Sequence, residues 1–266
     1  MHRVSDQNLR YELQSRRQFI GLLASAPAAF VACTMSGNAA LSRSGSARLA
    51  SRPGLPGSTV SDGTWPINPN DATDGVLVVP PSYHPAHPAA LVIALHGAGG
   101  SPNGPVKLLG TQAAAHGVLL LVPKSRGPTW DAITGRYGPD VRFIDNALKW
   151  TFDQCVVDPA RVVVEGFSDG ASYALGLGLA NGDLFKRAVA FSPGFIPAPD
   201  SITPERPEFF ISHGRADQIL PIDDASRVIV PGLRSRGVTV NYVEFDGGHQ
   251  VPPAIARSAM DWMLSP

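Results

Sequence analysis

Short apolar runs rich in Val, Ile and Leu alternate along the chain with longer stretches whose apolar residues recur at helical spacing. This alternation is typical of an α/β fold, in which a mainly parallel central sheet carries helices on both faces. The short runs predict strands at 75–79, 91–95, 118–122, 161–167, 188–191, 209–212 and 238–245. The longer stretches predict helices at 141–152, 171–179, 225–236 and 253–264.

Residues 1–33 have the pattern of an export signal. Arg16 and Arg17 precede a short Ala-rich apolar run, which is too short to span a bilayer permanently. The paired arginines resemble the twin-arginine signals of bacteria. The run ends at Cys33, which leaves two outcomes open: a lipid on Cys33 that anchors the protein to a membrane, or cleavage nearby that discards this residue. We expect an exported bacterial protein that is periplasmic, membrane-anchored or extracellular.

Residues 34–64 are rich in Ser, Gly, Ala and Arg and show little apolar periodicity. This composition predicts a flexible linker. Residues 65–266 show neither an internal repeat nor a second domain boundary, and they predict one folded domain.

Composition narrows the classes of partner. Lys plus Arg and Asp plus Glu are balanced at 22 each, so we expect no nucleic-acid partner. The two cysteines, Cys33 and Cys155, predict no disulfide framework.

One predicted strand leads into Gly166-Phe167-Ser168-Asp169-Gly170, and a helical pattern follows. Gly-x-Ser-x-Gly at a strand-to-helix turn is typical of a nucleophilic serine, because the sharp turn exposes the hydroxyl and the glycines allow close packing. The motif alone is common in a Gly-rich chain. Its position between a strand and a helix favours the catalytic interpretation over an ordinary turn.

A serine hydroxyl needs a base, and the base needs a carboxylate. Two later strands end in His213-Gly214-Arg215-Ala216-Asp217 and in Asp246-Gly247-Gly248-His249. The order Ser168, Asp217, His249 follows the Ser-acid-His order of this kind of site. Asp223, Asp224 and Asp246 are the alternative acids.

The strand at 91–95 ends in His96-Gly97-Ala98-Gly99-Gly100. Small residues there allow the backbone to curl around a developing negative charge, so the N–H groups of Ala98 and Asp169 are the predicted oxyanion donors. We interpret His96 as a residue that orders this turn and His213 as one that stabilises the acid loop. His96, His213 and His249 lack the spacing of a metal site, and no metal or other cofactor is expected.

At these four motifs the chain resembles the α/β-hydrolase superfamily, in particular its carboxylesterase/phospholipase branch and the polyhydroxybutyrate-depolymerase-like esterases. The resemblance runs from about residue 75 to the C-terminus, and both branches stay open. It implies ester hydrolysis by the triad Ser168, Asp217 and His249 on a small-molecule or polyester ester. Asp169 stands where the carboxylesterase branch often has Gln.

Two other functions stay open: a serine peptidase on the same fold, and a surface protein that binds without catalysis. The span 192–209 holds a short Pro-rich stretch at 193–199 and has no room for a helical lid, which predicts an open cleft with Trp130 and Tyr137 on its rim. An open cleft buries only a short acyl chain, so we expect a preference for acyl groups of roughly two to six carbons.

Overall fold

An eight-stranded sheet forms the centre of the structure, a computed structural model that describes residues 46–265. The order of the strands across the sheet is 1-2-4-3-5-6-7-8. The strands are β1 (Gly63–Pro66), β2 (Gly75–Val79), β3 (Ala89–Leu95), β4 (Leu119–Pro123), β5 (Val157–Phe167), β6 (Arg187–Phe191), β7 (Glu208–Gly214) and β8 (Val240–Phe245). β2 is antiparallel to both β1 and β4, and all other neighbours are parallel.

Helices cover both faces of this sheet. They are α1 (Asn103–His116), α2 (Asp131–Thr134), α3 (Pro139–Gln154), α4 (Asp169–Ala180), α5 (Ser226–Arg234) and α6 (Pro253–Leu264). Two clusters of buried apolar residues fill the space between helices and sheet. One lies under α3, α4 and α5, and the other under α1 and α6. The predicted α/β-hydrolase fold is therefore confirmed.

Each of the seven predicted strands has a counterpart, with ends that differ by a few residues. The prediction missed β1, α1 and the short α2. Helix α1 contains Gly104, Pro105 and Gly110, which weaken its helical pattern, although Pro105, Leu109 and Ala113 are buried on one side. It ends at Gly117 in the left-handed conformation, with φ of 68°.

The predicted linker at 34–64 is wrong for its second half, because residues 46–64 lie on the domain. Ala47 and Leu49 are buried in the core, and the backbone N–H of Leu49 donates to the Asn181 side chain over 2.8 Å. Arg48 and Arg52 both pair with Asp183. Two apolar side chains in a polar segment were too few to give a periodic pattern.

The export signal, Cys33 and residues 34–45 lie outside the described residues. Within residues 46–265, no helix is long and apolar enough to cross a membrane. The segment between β6 and β7 contains no helix, so nothing there covers the ends of the strands as a helical lid would.

Candidate active site

Ser168 sits at a strained turn between β5 and α4. Its backbone has φ of 57° and ψ of −120°, a conformation that residues other than glycine rarely adopt. The glycines of the motif are needed for space. A Cβ added to Gly166 would lie 2.1 Å from the carbonyl oxygen of Gly170, and one added to Gly170 would lie 2.2 Å from that of Leu95. The turn therefore closes only with glycine at both positions.

His249 lies on the loop after β8 and contacts the serine. Its Nε2 is 2.8 Å from Ser168 Oγ. The imidazole also packs against the ring of Phe167, with 4.8 Å between the ring centroids. These two contacts fix the imidazole beside the hydroxyl, which is the geometry a general base needs.

Asp217 holds the other side of the imidazole. His249 Nδ1 lies 2.7 Å from Asp217 Oδ2, and the Asp217 side chain is fully buried. The N–H groups of Ile219 and Leu220 donate to the second carboxyl oxygen, each over 2.9 Å. Because Nδ1 faces a carboxylate, it holds the ring proton, and Nε2 is left to accept a proton from Ser168.

His213 supports the loop that carries Asp217. Its Nε2 lies 2.8 Å from the carbonyl oxygen of Leu220 and 3.2 Å from Asp217 Oδ2, and its Nδ1 lies 2.7 Å from Ser226 Oγ. Burial lowers the pKa of His213, which keeps the ring neutral. A neutral ring with its proton on Nε2 satisfies Leu220 and accepts from the Ser226 hydroxyl. This is the loop-stabilising role that the sequence predicts for His213.

The three alternative acids are exposed, and two of them pair with arginines. Asp246 is 92% exposed at its side chain and bonds to Arg215 over 2.7 Å. Asp223 is 77% exposed and bonds to Arg227 over 2.8 Å. Asp224 is also exposed. The structure brings Asp217, and none of these three, to hydrogen-bonding distance of His249.

The turn after β3 lies against the serine. A Cβ added to Gly97 would be 3.2 Å from the Cβ of Ser168. The N–H groups of Gly99 and Gly100 donate to carbonyl oxygens of this region, whereas that of Ala98 makes no hydrogen bond to residues 46–265. The N–H of Asp169 belongs to the first residue of α4 and has no carbonyl partner within its helix. Asp169 thus directly follows Ser168 in the chain, and Ala98 directly follows Gly97, whose backbone lies against Ser168.

The Asp169 carboxyl group is held by Thr129. Thr129 Oγ1 donates to Asp169 Oδ2 over 2.6 Å. Burial raises the pKa of Asp169, and the Thr129 hydrogen bond partly offsets that rise. The Asp169 carboxyl group is therefore hydrogen-bonded to Thr129 beside the site. The carboxylesterase branch often has Gln at this position.

His96 orders the turn, as the sequence predicts. Its Nδ1 lies 2.7 Å from the carbonyl oxygen of Gly97, and the N–H of Ser125 donates to its Nε2 over 3.0 Å. Burial lowers the pKa of His96, so the ring is neutral and bonds through both nitrogens.

The prediction that Trp130 and Tyr137 form a rim is wrong, because both are buried. Trp130 has no exposed surface, and its indole N–H donates to the carbonyl oxygen of His96 over 2.8 Å. Tyr137 is 4% exposed, and its hydroxyl donates to the carbonyl oxygen of Pro197 over 3.0 Å. Both rings pack on Tyr173, which places them in the layer beneath the site.

A pocket of about 400 Å³ opens beside His249. Gly97 and Ala98 line it together with apolar residues of β3, α1 and the loop after β8. Its buried wall includes Glu165, which the sequence analysis did not single out. One signal could have identified it: Glu165 is a charged residue that ends the apolar run Val162-Val163-Val164 inside a central strand.

His96, His213 and His249 each use both ring nitrogens in the contacts above. Across the part of the chain that the structure describes, no group of three or more His, Cys, Asp or Glu side chains could hold a metal ion.

No protein-family model matches this chain. Among curated proteins, it is similar to a protein of Aspergillus oryzae named "Probable feruloyl esterase C", with 27% identity over 228 residues, covering 73% of this chain and 82% of the relative. An Aspergillus flavus protein with the same name is 26% identical over the same length and coverage.

Two solved structures illustrate the likeness in fold. Esterase PE8 has a TM-score of 0.56 and 20% sequence identity, over 77% of this chain and 98% of its own. The carboxylesterase of Bacillus cereus has a TM-score of 0.54 and 19% identity, over 71% of this chain and 92% of its own. At these identities the likeness shows a common fold.

Proposed function

We propose that this chain, an α/β-hydrolase by fold, is a serine carboxylic ester hydrolase with Ser168 as nucleophile. The observation that carries the proposal is the continuous line of hydrogen bonds from Asp217 through His249 to Ser168 Oγ. The esterase names of the relatives and of the neighbouring structures support the same reaction class.

The proposed reaction has two halves. Ser168 Oγ attacks the ester carbonyl carbon while His249 Nε2 takes the hydroxyl proton, and the oxyanion forms beside the N–H groups of Ala98 and Asp169. His249 then gives the proton to the leaving alcohol, which departs and leaves an acyl group on Ser168. In the second half, a water molecule gives its proton to His249 and attacks the acyl carbon. The acid is released, and the proton returns to Ser168.

Covalent trapping tests this role of Ser168. Phenylmethylsulfonyl fluoride should abolish hydrolysis of p-nitrophenyl acetate and add one sulfonyl group to the peptide that contains Ser168, as seen by mass spectrometry. EDTA serves as the control and should leave the rate unchanged. A modified peptide that does not contain Ser168, or full activity after treatment, would refute the assignment.

The peptidase and binding alternatives are separated by a matched pair of substrates. p-Nitrophenyl butyrate and butyryl p-nitroanilide differ only in the ester or amide link. We expect turnover of the ester and at least about a thousandfold lower kcat/KM for the amide, because an amine is the poorer leaving group. Comparable rates would favour a peptidase, and no turnover of either would favour a binding protein.

For the substrate, we propose esters with acyl groups of roughly two to six carbons. The pocket beside His249 gives such groups apolar walls, and its lining includes the buried acid Glu165, next to which a longer alkyl chain would be disfavoured. The name of the Aspergillus relatives makes feruloyl esters a second candidate class. Methyl ferulate tests it directly.

We also propose that residues 1–33 direct export and that Cys33 is either lipidated or removed. The paired arginines, the short apolar run and the position of Cys33 support this. Expression of the full chain in a bacterium, followed by fractionation and mass spectrometry of the mature N-terminus, distinguishes the two outcomes. Replacing Arg16 and Arg17 with lysine should retain the protein in the cytoplasm.

A further inference from the structure

Glu165 is a buried acid whose carboxyl group makes no hydrogen bond to any of residues 46–265. It is 1% exposed, and neither of its carboxyl oxygens has a hydrogen-bond partner. Burial raises the pKa of Glu165 to about 8, so the group keeps its proton at neutral pH. A buried polar group without a partner is costly, which makes its position in the wall of a pocket significant.

Glu165 and His249, the proposed base, line the same pocket. His249, Gly97 and Ala98 line it, and Ser101 and Gln250, both exposed, mark its mouth. Glu165 also lines it, but the residue is 1% exposed and both carboxyl oxygens are buried, so the side chain must turn slightly for an oxygen to reach a ligand. Ser168 is not itself a lining residue, but the backbone of Gly97 lies close to it, so an ester with its carbonyl at Ser168 could extend one of its ends into this pocket.

The chemistry of the walls defines what fits. The sides are apolar, with Leu95, Leu108, Phe167 and Val251 among the lining residues. A protonated carboxyl group donates one hydrogen bond and accepts another, and a hydroxyl group does the same. A methyl tip would leave Glu165 unpaired, and an ammonium group would require a desolvated ion pair. A hydroxyl tip avoids both costs.

We propose that this pocket is a substrate subsite in which Glu165 binds a hydroxyl group at the tip of an otherwise apolar part of the ester. The inference rests on the proposed ester hydrolysis, and it names Glu165 as a residue that determines specificity. A phenol and an alkyl alcohol share this chemistry, so the test includes both.

The experiment compares kcat/KM within two pairs of methyl esters. One pair is the 3-(4-hydroxyphenyl)propanoate and the 3-phenylpropanoate, and the other is the 6-hydroxyhexanoate and the hexanoate. The wild type should prefer the hydroxylated member of at least one pair by about tenfold or more. Glu165→Leu should abolish or reverse that preference, and Glu165→Gln, whose amide still forms hydrogen bonds, should keep part of it.

Val163→Ala is the matched control. Val163 is buried on the same strand, two residues before Glu165 and on the same face, but it does not line the pocket. This variant should keep the wild-type preference. Equal kcat/KM within both pairs for the wild type, or an unchanged preference in Glu165→Leu, would overturn the proposal.

A binding measurement separates this inference from the proposed function. If the wild type hydrolyses neither these esters nor p-nitrophenyl acetate, ester hydrolysis is refuted, and calorimetry with 4-ethylphenol and ethylbenzene then judges the subsite alone. About tenfold tighter binding of 4-ethylphenol, lost in Glu165→Leu, would support it. Equal binding of the two compounds would refute it.

Discussion

The indole N–H of Trp130 donates to the carbonyl oxygen of His96, the residue that begins the turn with the proposed oxyanion donor Ala98. The two rings also pack together, with 4.9 Å between their centroids. Trp130 therefore fixes the backbone of this turn from beneath. Because the position of a backbone donor decides how well it stabilises an oxyanion, Trp130 has a positioning role in the proposed reaction.

Trp130→Phe keeps an aromatic ring and removes this hydrogen bond. We expect kcat to fall about tenfold, by the same factor for acetyl and hexanoyl esters, with KM within about twofold of the wild type. Steady-state kinetics on p-nitrophenyl esters measures this. Trp150→Phe is the control, since Trp150 packs against the core away from the site. A change in the ratio of the two esters would instead place Trp130 against the acyl chain.

Asp217→Asn should lower kcat by up to about 10⁴-fold, because an amide no longer holds the imidazole proton on Nδ1. Asp246→Asn and Asp223→Asn make the same chemical change in exposed ion pairs and should stay within about twofold of the wild type. Circular dichroism checks that all three variants fold. A larger loss in either control than in Asp217→Asn would move the role of acid to another residue.

The proposed triad could be predicted because each member follows an apolar run in a parallel sheet. The carboxyl ends of parallel strands meet at one edge, so a serine after β5, an acid after β7 and a histidine after β8 come together once the strands are known. Local sequence was sufficient for these residues.

Trp130 and Glu165 required the tertiary structure. Trp130 lies in a long segment between β4 and α3, where nothing local separates a rim residue from a buried one, and its burial depends on His96 and Tyr173. Glu165 interrupts an apolar strand, which signals an unusual group. Only the arrangement of α1 and the loop after β8 shows that it lines a pocket.

The segment before β1 should contribute to stability. Leu49 is 2% exposed, and Leu55 is 97% exposed in the same segment. Leu49→Ala should lower the free energy of unfolding by about 2 to 4 kcal/mol, and Leu55→Ala should change it by less than about 0.5 kcal/mol. Urea denaturation measures both. If both substitutions changed the free energy of unfolding equally little, the segment would behave as a free linker in solution.

The acyl preference should show a limit set by the pocket. Each methylene group that finds an apolar wall contributes about 0.8 kcal/mol, or about fourfold in kcat/KM. We expect kcat/KM on p-nitrophenyl esters to be highest between about two and six carbons and to fall steeply for longer chains. A steady rise to twelve carbons or more would contradict a limit set by this pocket.

Glu165 should make stability fall as pH rises. Its pKa is raised from 4.5 to about 8, so between these values the unfolded chain has lost a proton that the folded chain keeps. Over that window the group lowers the free energy of unfolding by about 1.4 kcal/mol per pH unit, and it adds nothing further below or above it. Glu165→Gln removes this titration. The variant should therefore gain stability relative to the wild type as pH rises from 4.5 to 8, by roughly 4 to 5 kcal/mol in total.

Urea denaturation at pH 4.5, 6 and 8 measures that difference. Glu208→Gln is the control, because it makes the same chemical change on another strand, where the Glu208 side chain is 49% exposed beside Arg187 at the start of β7. We expect Glu208→Gln to change the free energy of unfolding by less than about 1 kcal/mol at each of the three pH values, since exposed ion pairs contribute little. If Glu165→Gln also differed from the wild type by a constant amount at all three pH values, Glu165 would be ionised in the folded protein. A partner for its charge would then have to lie in the pocket.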